Sequence, residues 1–179
     1  MTREERRRRL ESFGRAPAVL SAALRQFPKK MRLYKPAPDR WSNHEVILHL
    51  ADAEATAYVC CRRFIAEPGS RELKFNSARW AGTLTYFHQS TREALEIIKR
   101  LRMMTYQLLL SIPESIWSHT AEHTNGGDVS LKQWLERQDE HIRRPVEQMK
   151  RNHEAWLRTH PPRKPALSPK LITASAEGY

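Results

Sequence analysis

Two helix-start signals constrain the fold of this chain more than any other feature. Ser42 is followed three residues later by Glu45, and Ser130 is followed at the same spacing by Gln133. In such a capping box each side chain bonds the backbone N–H of the other residue, which fixes the first turn of a helix. Apolar residues recur at helical spacing after both signals. The sequence therefore predicts two long amphipathic helices, the second and fourth of the chain.

Two further segments have the same periodicity. The first helix is predicted over residues 2–27, with an interruption where Gly14 and Pro17 fall. The third is predicted to run without a break from residue 77 or 81 to residue 111, and Pro113 closes it. A polar connection over residues 113–128 then leads to the fourth helix.

Length and composition fit a single helical domain. The chain has 179 residues, of which 40% are hydrophobic and only six are glycine. Four helices of this length joined by moderate connections predict an all-α fold, an up-and-down four-helix bundle over residues 1–160. The Pro-rich C-terminal extension 161–179 cannot continue a helix. No stretch approaches the ~20 apolar residues that cross a bilayer, so a cytoplasmic protein without membrane contact is expected.

The distribution of charge favours a solvated surface, and the two cysteines favour free thiols. The net charge of +11 raises nucleic acid as a partner, and residues 6–9 are a run of four arginines. Acidic neighbours interrupt this basic region, which favours a solvated helix face over nucleic-acid binding. The adjacent residues Cys60 and Cys61 are expected to be free thiols, because a bridge between neighbours in a helix is strained.

Two histidines fall on apolar helix faces, His49 on the second helix and His141 on the fourth. Burying an imidazole without a partner costs about 1–3 kcal/mol. Each ring is therefore either a core residue with hydrogen-bond partners or part of a converging site for zinc, nickel or iron. The six other histidines are placed on loops or polar faces and are given no role: His44, His88, His119, His123, His153 and His160.

The run from Trp41 to Glu54, WSNHEVILHLADAE, resembles the signature of the DinB/YfiT-like superfamily. The resemblance implies a four-helix bundle, often a homodimer, that holds a divalent metal such as zinc or nickel through three histidines. His49 matches the first ligand and His141 the second. Some members resemble metal-dependent hydrolases, and others are similar to thiol-dependent transferases or isomerases.

The position that matches the third ligand holds Pro145, which has no ligating atom. Proline also removes a backbone N–H and crowds the carbonyl of residue 141, so a kink or break of the last helix is expected there. Asp52, one turn after His49, is a possible replacement ligand. Two functions stay open: a metal-dependent hydrolase or thiol-dependent transferase with an incomplete His triad, or a metal-free module that binds an unknown small molecule or a partner.

Overall fold

Six α-helices and a short hairpin make up the fold in the computed structural model, which describes residues 1–161. The predicted extension therefore lies, from residue 162 onward, outside the described residues. The helices are α1 (Arg3–Arg25), α2 (Asn43–Ala66), α3 (Ser77–Thr83), α4 (Thr91–Ser111), α5 (Leu131–Glu140) and α6 (Arg143–Thr159), and the strands are β1 (Thr120–Glu122) and β2 (Asp128–Ser130). Within residues 1–161 no helix combines the length and apolarity needed to cross a membrane.

The bundle consists of α1, α2, α4 and the α5–α6 pair, which confirms the predicted fold class. α4 and α5 each pack against both α1 and α2. α1 and α2 therefore occupy opposite corners, and the long connection between them crosses one end of the bundle. The buried core includes the large side chains Phe13, Leu20, Ile47, Phe64, Ile98, Leu109, Leu131 and Trp134.

Both predicted capping boxes are present, and a third opens the chain. The hydroxyls of Ser42 and Ser130 accept from the backbone N–H groups three residues on. Thr2 does the same for α1. Each cap satisfies backbone donors that the first helical turn leaves free.

The predicted interruption of the first helix is wrong, because α1 continues through Gly14 and Pro17. Gly14 is needed there for packing, since a Cβ at this position would lie 3.1 Å from the Tyr106 ring of α4. The absence of a side chain lets α1 and α4 approach closely at this point. Packing of this kind compensates for the backbone hydrogen bond that Pro17 removes.

The basic run of α1 is not a uniformly solvated face. Arg6 is buried, with its guanidinium 4.8 Å from the centre of the Trp117 ring and bonded to the Glu114 carboxylate. The three arginines that follow it are exposed or partly exposed. One of the four cations therefore serves as a structural contact between α1 and the segment after α4.

The prediction of one continuous third helix is also wrong. α3 ends at Thr83, Tyr86–His88 form a 3-10 turn, and Ser90 caps the start of α4. Thr85 sits between these elements with a φ of +49°. A β-branched residue rarely adopts this left-handed conformation, so the helix cannot continue through it.

The fourth helix breaks at His141 and Ile142, which confirms the expected effect of Pro145. The proline is the third residue of α6, where its missing N–H has no intrahelical acceptor to lose. α5 therefore ends just before His141. As a result, His141 lies in a junction between two helices rather than in the middle of one.

The connection after α4 contains structure that the sequence did not reveal. β1 and β2 pair antiparallel, with Ala121 opposite Val129, around a turn in which Gly126 and Gly127 adopt positive φ values. The segment after α2 lies along the other edge of β1, since the Gly69 N–H donates to Thr120 at 2.8 Å and the Glu72 N–H donates to Glu122 at 2.9 Å. These bonds hold residues 69–75 across the side of α2.

Candidate functional site

The structure brings His49 and His141 together. His49 projects from α2 and His141 from the α5–α6 junction, and their ring centroids are 6.0 Å apart. Both side chains are half-buried. Within residues 1–161 neither imidazole makes a hydrogen bond, and Nδ1 of His49 is fully buried without a partner. The two neighbouring rings therefore have nitrogens that no group of the described chain satisfies, and His141 also lines the adjacent cleft.

Burial keeps both rings neutral. It lowers the pKa of His49, and it lowers the pKa of His141 to about 4. Repulsion from His49, Arg102 and Arg144 lowers the His141 pKa further, after burial as the main cause. At neutral pH each ring is an uncharged imidazole with one N–H donor and one acceptor nitrogen.

Aromatic rings enclose His49. The Trp41 ring centroid lies 5.0 Å and the Phe75 centroid 5.8 Å from that of His49. Phe75 in turn packs against Trp80 of α3, with the ring centroids 4.4 Å apart and the rings tilted. Phe75 belongs to the segment that follows the β1 edge, so the hairpin helps to place this wall. These rings restrict access of water to the histidine pair.

A cleft of about 250 Å³ extends from His141 along α2 to Cys60, beneath the segment that carries Phe75. Gln138 and Trp134 of α5 line the opposite side. The Cys60 thiol donates weakly to the Leu73 carbonyl at 3.8 Å, and burial raises its pKa. The thiol therefore stays protonated at neutral pH and is a poor nucleophile.

A buried ion pair lies between the helices behind the cleft. Arg102 of α4 donates through Nε and a terminal nitrogen to one oxygen of Glu54 on α2, and both side chains are nearly inaccessible, at 2% and 3% exposure. Another Arg102 nitrogen lies 3.5 Å from the Gln138 carbonyl near the end of α5. The guanidinium also covers the Phe13 ring at 4.0 Å. Arg102 thereby connects the helix that carries His49 to the helix end that carries His141.

Asp52, the suggested replacement ligand, is engaged elsewhere. Its carboxylate accepts a short hydrogen bond from the Tyr86 hydroxyl, and it lines a different cavity, between α2 and α4. In the part of the chain that the structure describes, no group of three or more His, Cys, Asp or Glu residues has the geometry of a metal site. Two imidazoles supply half of a tetrahedral coordination sphere, whereas a catalytic zinc takes three protein ligands. The donor set does not fit a catalytic metal held by protein alone.

The placement of His44 on a loop or polar face is wrong. His44 is 5% exposed in the first turn of α2, and its ring nitrogens contact the Thr91 hydroxyl at 2.7 Å and the Tyr86 carbonyl at 2.8 Å. These bonds connect α2 to the start of α4. His44 is a satisfied structural histidine, in contrast to His49 one turn and a half further along.

Sequence reasoning missed Trp41 and Phe75 as walls of the site and Arg102 with Glu54 as its support. A signal for the ion pair was available. Arg102 lies four residues after the buried Ile98 and seven before the buried Leu109, on the inner face of α4. No local pattern marks Phe75, because pairing with the distant strand β1 determines its position.

Comparison with solved structures identifies the fold. No family model and no curated protein sequence matches this chain. YfiT from Bacillus subtilis, described as a probable metal-dependent hydrolase with an unusual four-helix bundle topology, superposes with a TM-score of 0.80 at 14% identity, over 87% of this chain and 90% of that one. A mycothiol-dependent maleylpyruvate isomerase gives a TM-score of 0.66 at 14% identity, over 89% of this chain and 68% of that one. A histidine-to-alanine variant of the isomerase gives the same TM-score at 13% identity.

These likenesses show that the chain has the four-helix bundle fold of YfiT. At 13–14% identity they show the fold and not the reaction.

Proposed function

We propose that the cleft beside His49 and His141 binds a small planar molecule that carries an O–H, N–H or S–H donor. The observation that carries the proposal is the orphaned pair itself: two half-buried neutral imidazoles, 6.0 Å apart, without hydrogen bonds in the described chain. A half-buried polar group without a partner is costly, and a ligand donor between the rings removes that cost. The rings of Phe75 and Trp134, which line the cleft, supply the apolar surface for the rest of the molecule.

The electrostatics favour binding over proton abstraction. A general base works best when its pKa lies near the operating pH. The pKa of His141 is about 4, so this imidazole accepts a hydrogen bond but holds a transferred proton poorly at neutral pH. The metal-free binding module is the better supported of the two functions considered from the sequence, because within the described residues no third ligand accompanies the two histidines.

A divalent ion, zinc or nickel, is the second candidate occupant. Neutral imidazoles are the form that binds these metals, and the fold neighbour YfiT is described as a probable metal-dependent hydrolase. His49 and His141 would hold the ion, and water or a ligand would fill the other positions. Such an ion would polarise a bound group, as a hydrolase or a thiol-dependent transferase requires. Homodimerisation and a cytoplasmic location stay predictions.

The test is a comparison of phenol, benzamide and thiophenol with zinc and nickel chlorides as probes. Binding is followed by NMR of the histidine ring signals and by calorimetry, for the wild type, His49→Ala and His141→Ala. His88→Ala is the matched control, since this exposed histidine lies outside the cleft.

We expect the organic probes to shift the ring signals of His49 and His141 in the wild type and in His88→Ala, and binding to be lost in the two site variants. Equal binding by the site variants would refute the proposal. Metal binding in the low micromolar range that disappears with either site histidine would instead support the second candidate.

A further inference from the structure

Another cavity, which neither His49 nor His141 lines, lies between the C-terminal half of α1 and the N-terminal half of α4. We call it the α1–α4 groove, and its volume is about 550 Å³. Volumes of 300 to 1,000 Å³ are typical of small-molecule sites. Its walls are apolar along most of their length, with Pro17, Ala18 and Leu24 from α1 and Leu95 and Met103 from α4.

Four cations surround the α1–α4 groove: Arg25 at the end of α1, Arg32 in the following connection, and Arg92 and Lys99 on α4. Within residues 1–161 none of their side chains forms an ion pair or a hydrogen bond. The acid at the groove, Glu96, lies 3.9 Å from Arg100 in an ion pair of its own.

The same two helices pair other arginines with acids one turn away, as in Arg7 with Glu4 and Arg15 with Glu11. The cations at the groove lack such partners, so their combined field attracts an anion. Arginine binds carboxylates through two parallel N–H donors, which gives geometric selectivity as well as attraction.

The three arginines lie at one end of the α1–α4 groove, and the apolar wall extends from there to Met103. Arg25, Arg32 and Arg92 lie near the end of α1 and the start of α4, whereas Met103 lies three turns along α4. Met103 is 43% exposed. A methionine side chain adapts readily to an apolar partner. A ligand that matches both parts has an anionic head and an apolar chain.

We infer that the α1–α4 groove binds an anionic amphiphile, specifically a single-chain carboxylate. Its head meets Arg25, Arg32 and Arg92, and its chain lies along Leu95 and Met103. This binding is independent of the function proposed for His49 and His141, because α1 and α4 supply the groove whereas α2 and the α5–α6 junction supply the histidines.

Calorimetry with decanoate, below its micelle concentration, tests the inference on the full chain. Decanol supplies the chain without the charge, and acetate supplies the charge without the chain. We expect saturable binding of one decanoate per protein, and at least tenfold weaker binding of both decanol and acetate. Equal affinity for decanol or for acetate would overturn the inference, because only one half of the ligand would then be recognised.

Variants locate the binding. Arg25→Gln/Arg92→Gln should weaken decanoate binding at least tenfold, and Ala18→Trp should do the same by filling the groove without changing its charge. The matched control is Arg79→Gln/Arg158→Gln, which removes two exposed arginines elsewhere and should leave the affinity within twofold. Equal losses in the control would overturn the inference. Circular dichroism confirms that each variant is folded.

A vesicle experiment separates a free amphiphile from a membrane surface. The chain is sedimented with vesicles of phosphatidylcholine and with vesicles that contain phosphatidylglycerol. We expect decanoate binding that depends on the groove variants and no sedimentation that depends on them. Sedimentation with anionic vesicles that the groove variants abolish, together with absent decanoate binding, would overturn the inference in favour of a lipid surface.

Discussion

Replacing Arg102 by Met should destabilise the protein by about 3–5 kcal/mol, the usual result of removing one partner of a buried ion pair. Glu54 would keep its place at 3% exposure and lose its charged partner. One of its oxygens already lacks a hydrogen bond, so neither oxygen would then have a donor. Methionine replaces most of the arginine stem, which limits the loss of packing on Phe13. A loss of this size is a large fraction of the 5–15 kcal/mol that stabilises a typical domain.

Urea unfolding at pH 7, followed by circular dichroism, measures this loss as a lower midpoint with an unchanged slope. The double variant Glu54→Leu/Arg102→Met is the control, because it removes both charges together. We expect its free energy of unfolding to lie within about 2 kcal/mol of the wild type. A single variant within 1 kcal/mol of the wild type, or a double variant as unstable as the single, would refute the reasoning.

The pH dependence of the single variant gives a second readout. Burial raises the pKa of Glu54 even with Arg102 present. Without Arg102 this pKa should rise further, so the folded state then binds a proton at higher pH than the unfolded state. Relative to the double variant, Arg102→Met should therefore regain stability as the pH falls from 8 toward 5.

Three further predictions concern the histidine pair and the helix ends. The pKa of His141 is about 4 in the folded state and 6.5 in the unfolded state, so the unfolded state binds the proton first as the pH falls. The free energy of unfolding should therefore fall by about 2–3 kcal/mol between pH 6.5 and 4. In urea unfolding, His141→Gln should show a smaller fall over this range, and an identical fall would contradict the burial of this ring. Pro145→His should bind zinc or nickel at least tenfold more tightly than Pro145→Ala in calorimetry, because it supplies a third imidazole next to the pair. Equal metal affinity of the two variants would show that position 145 points away from the histidines. Thr85→Gly should raise the free energy of unfolding by about 0.5–1 kcal/mol, since glycine adopts the φ of +49° without strain. A lower stability of this variant in urea unfolding would mean that the Thr85 side chain contributes a stabilising contact.

Signals carried by adjacent residues predicted much of the fold. The capping boxes at Ser42 and Ser130 gave the starts of α2 and α5, because a cap depends on bonds within four residues. Pro145 gave the break in the last helix for the same reason. The convergence of His49 and His141 was one of the two alternatives that their places on inward helix faces left open.

Features that depend on distant contacts were not predictable in the same way. Pro17 is a local helix breaker, yet α1 continues because packing of Gly14 against Tyr106 favours the continuous helix. The apolar stripe of the third segment extended across Thr85, whose backbone conformation no periodicity reveals.

The buried ion pair of Glu54 and Arg102 could not be predicted from the sequence for a different reason. Glu54 and Arg102 both fall on the inner faces of their helices, but a charged residue is normally assigned to the surface. Each is buried because the other is opposite, so neither position can be read from one helix alone. A charge on an apolar stripe is best interpreted with a search for its counter-charge on another stripe.

Titration of the histidine ring signals by NMR tests the central claim most directly, namely that His49 and His141 form a coupled pair of neutral imidazoles. We expect both pKa values to lie below 6.5, with that of His141 the lower, and we expect His49→Gln to raise the pKa of His141 by removing a repulsive neighbour. If both rings titrate near 6.5, and the pKa of His141 is unchanged in the His49→Gln variant, the coupled pair and the binding site proposed on it would be contradicted.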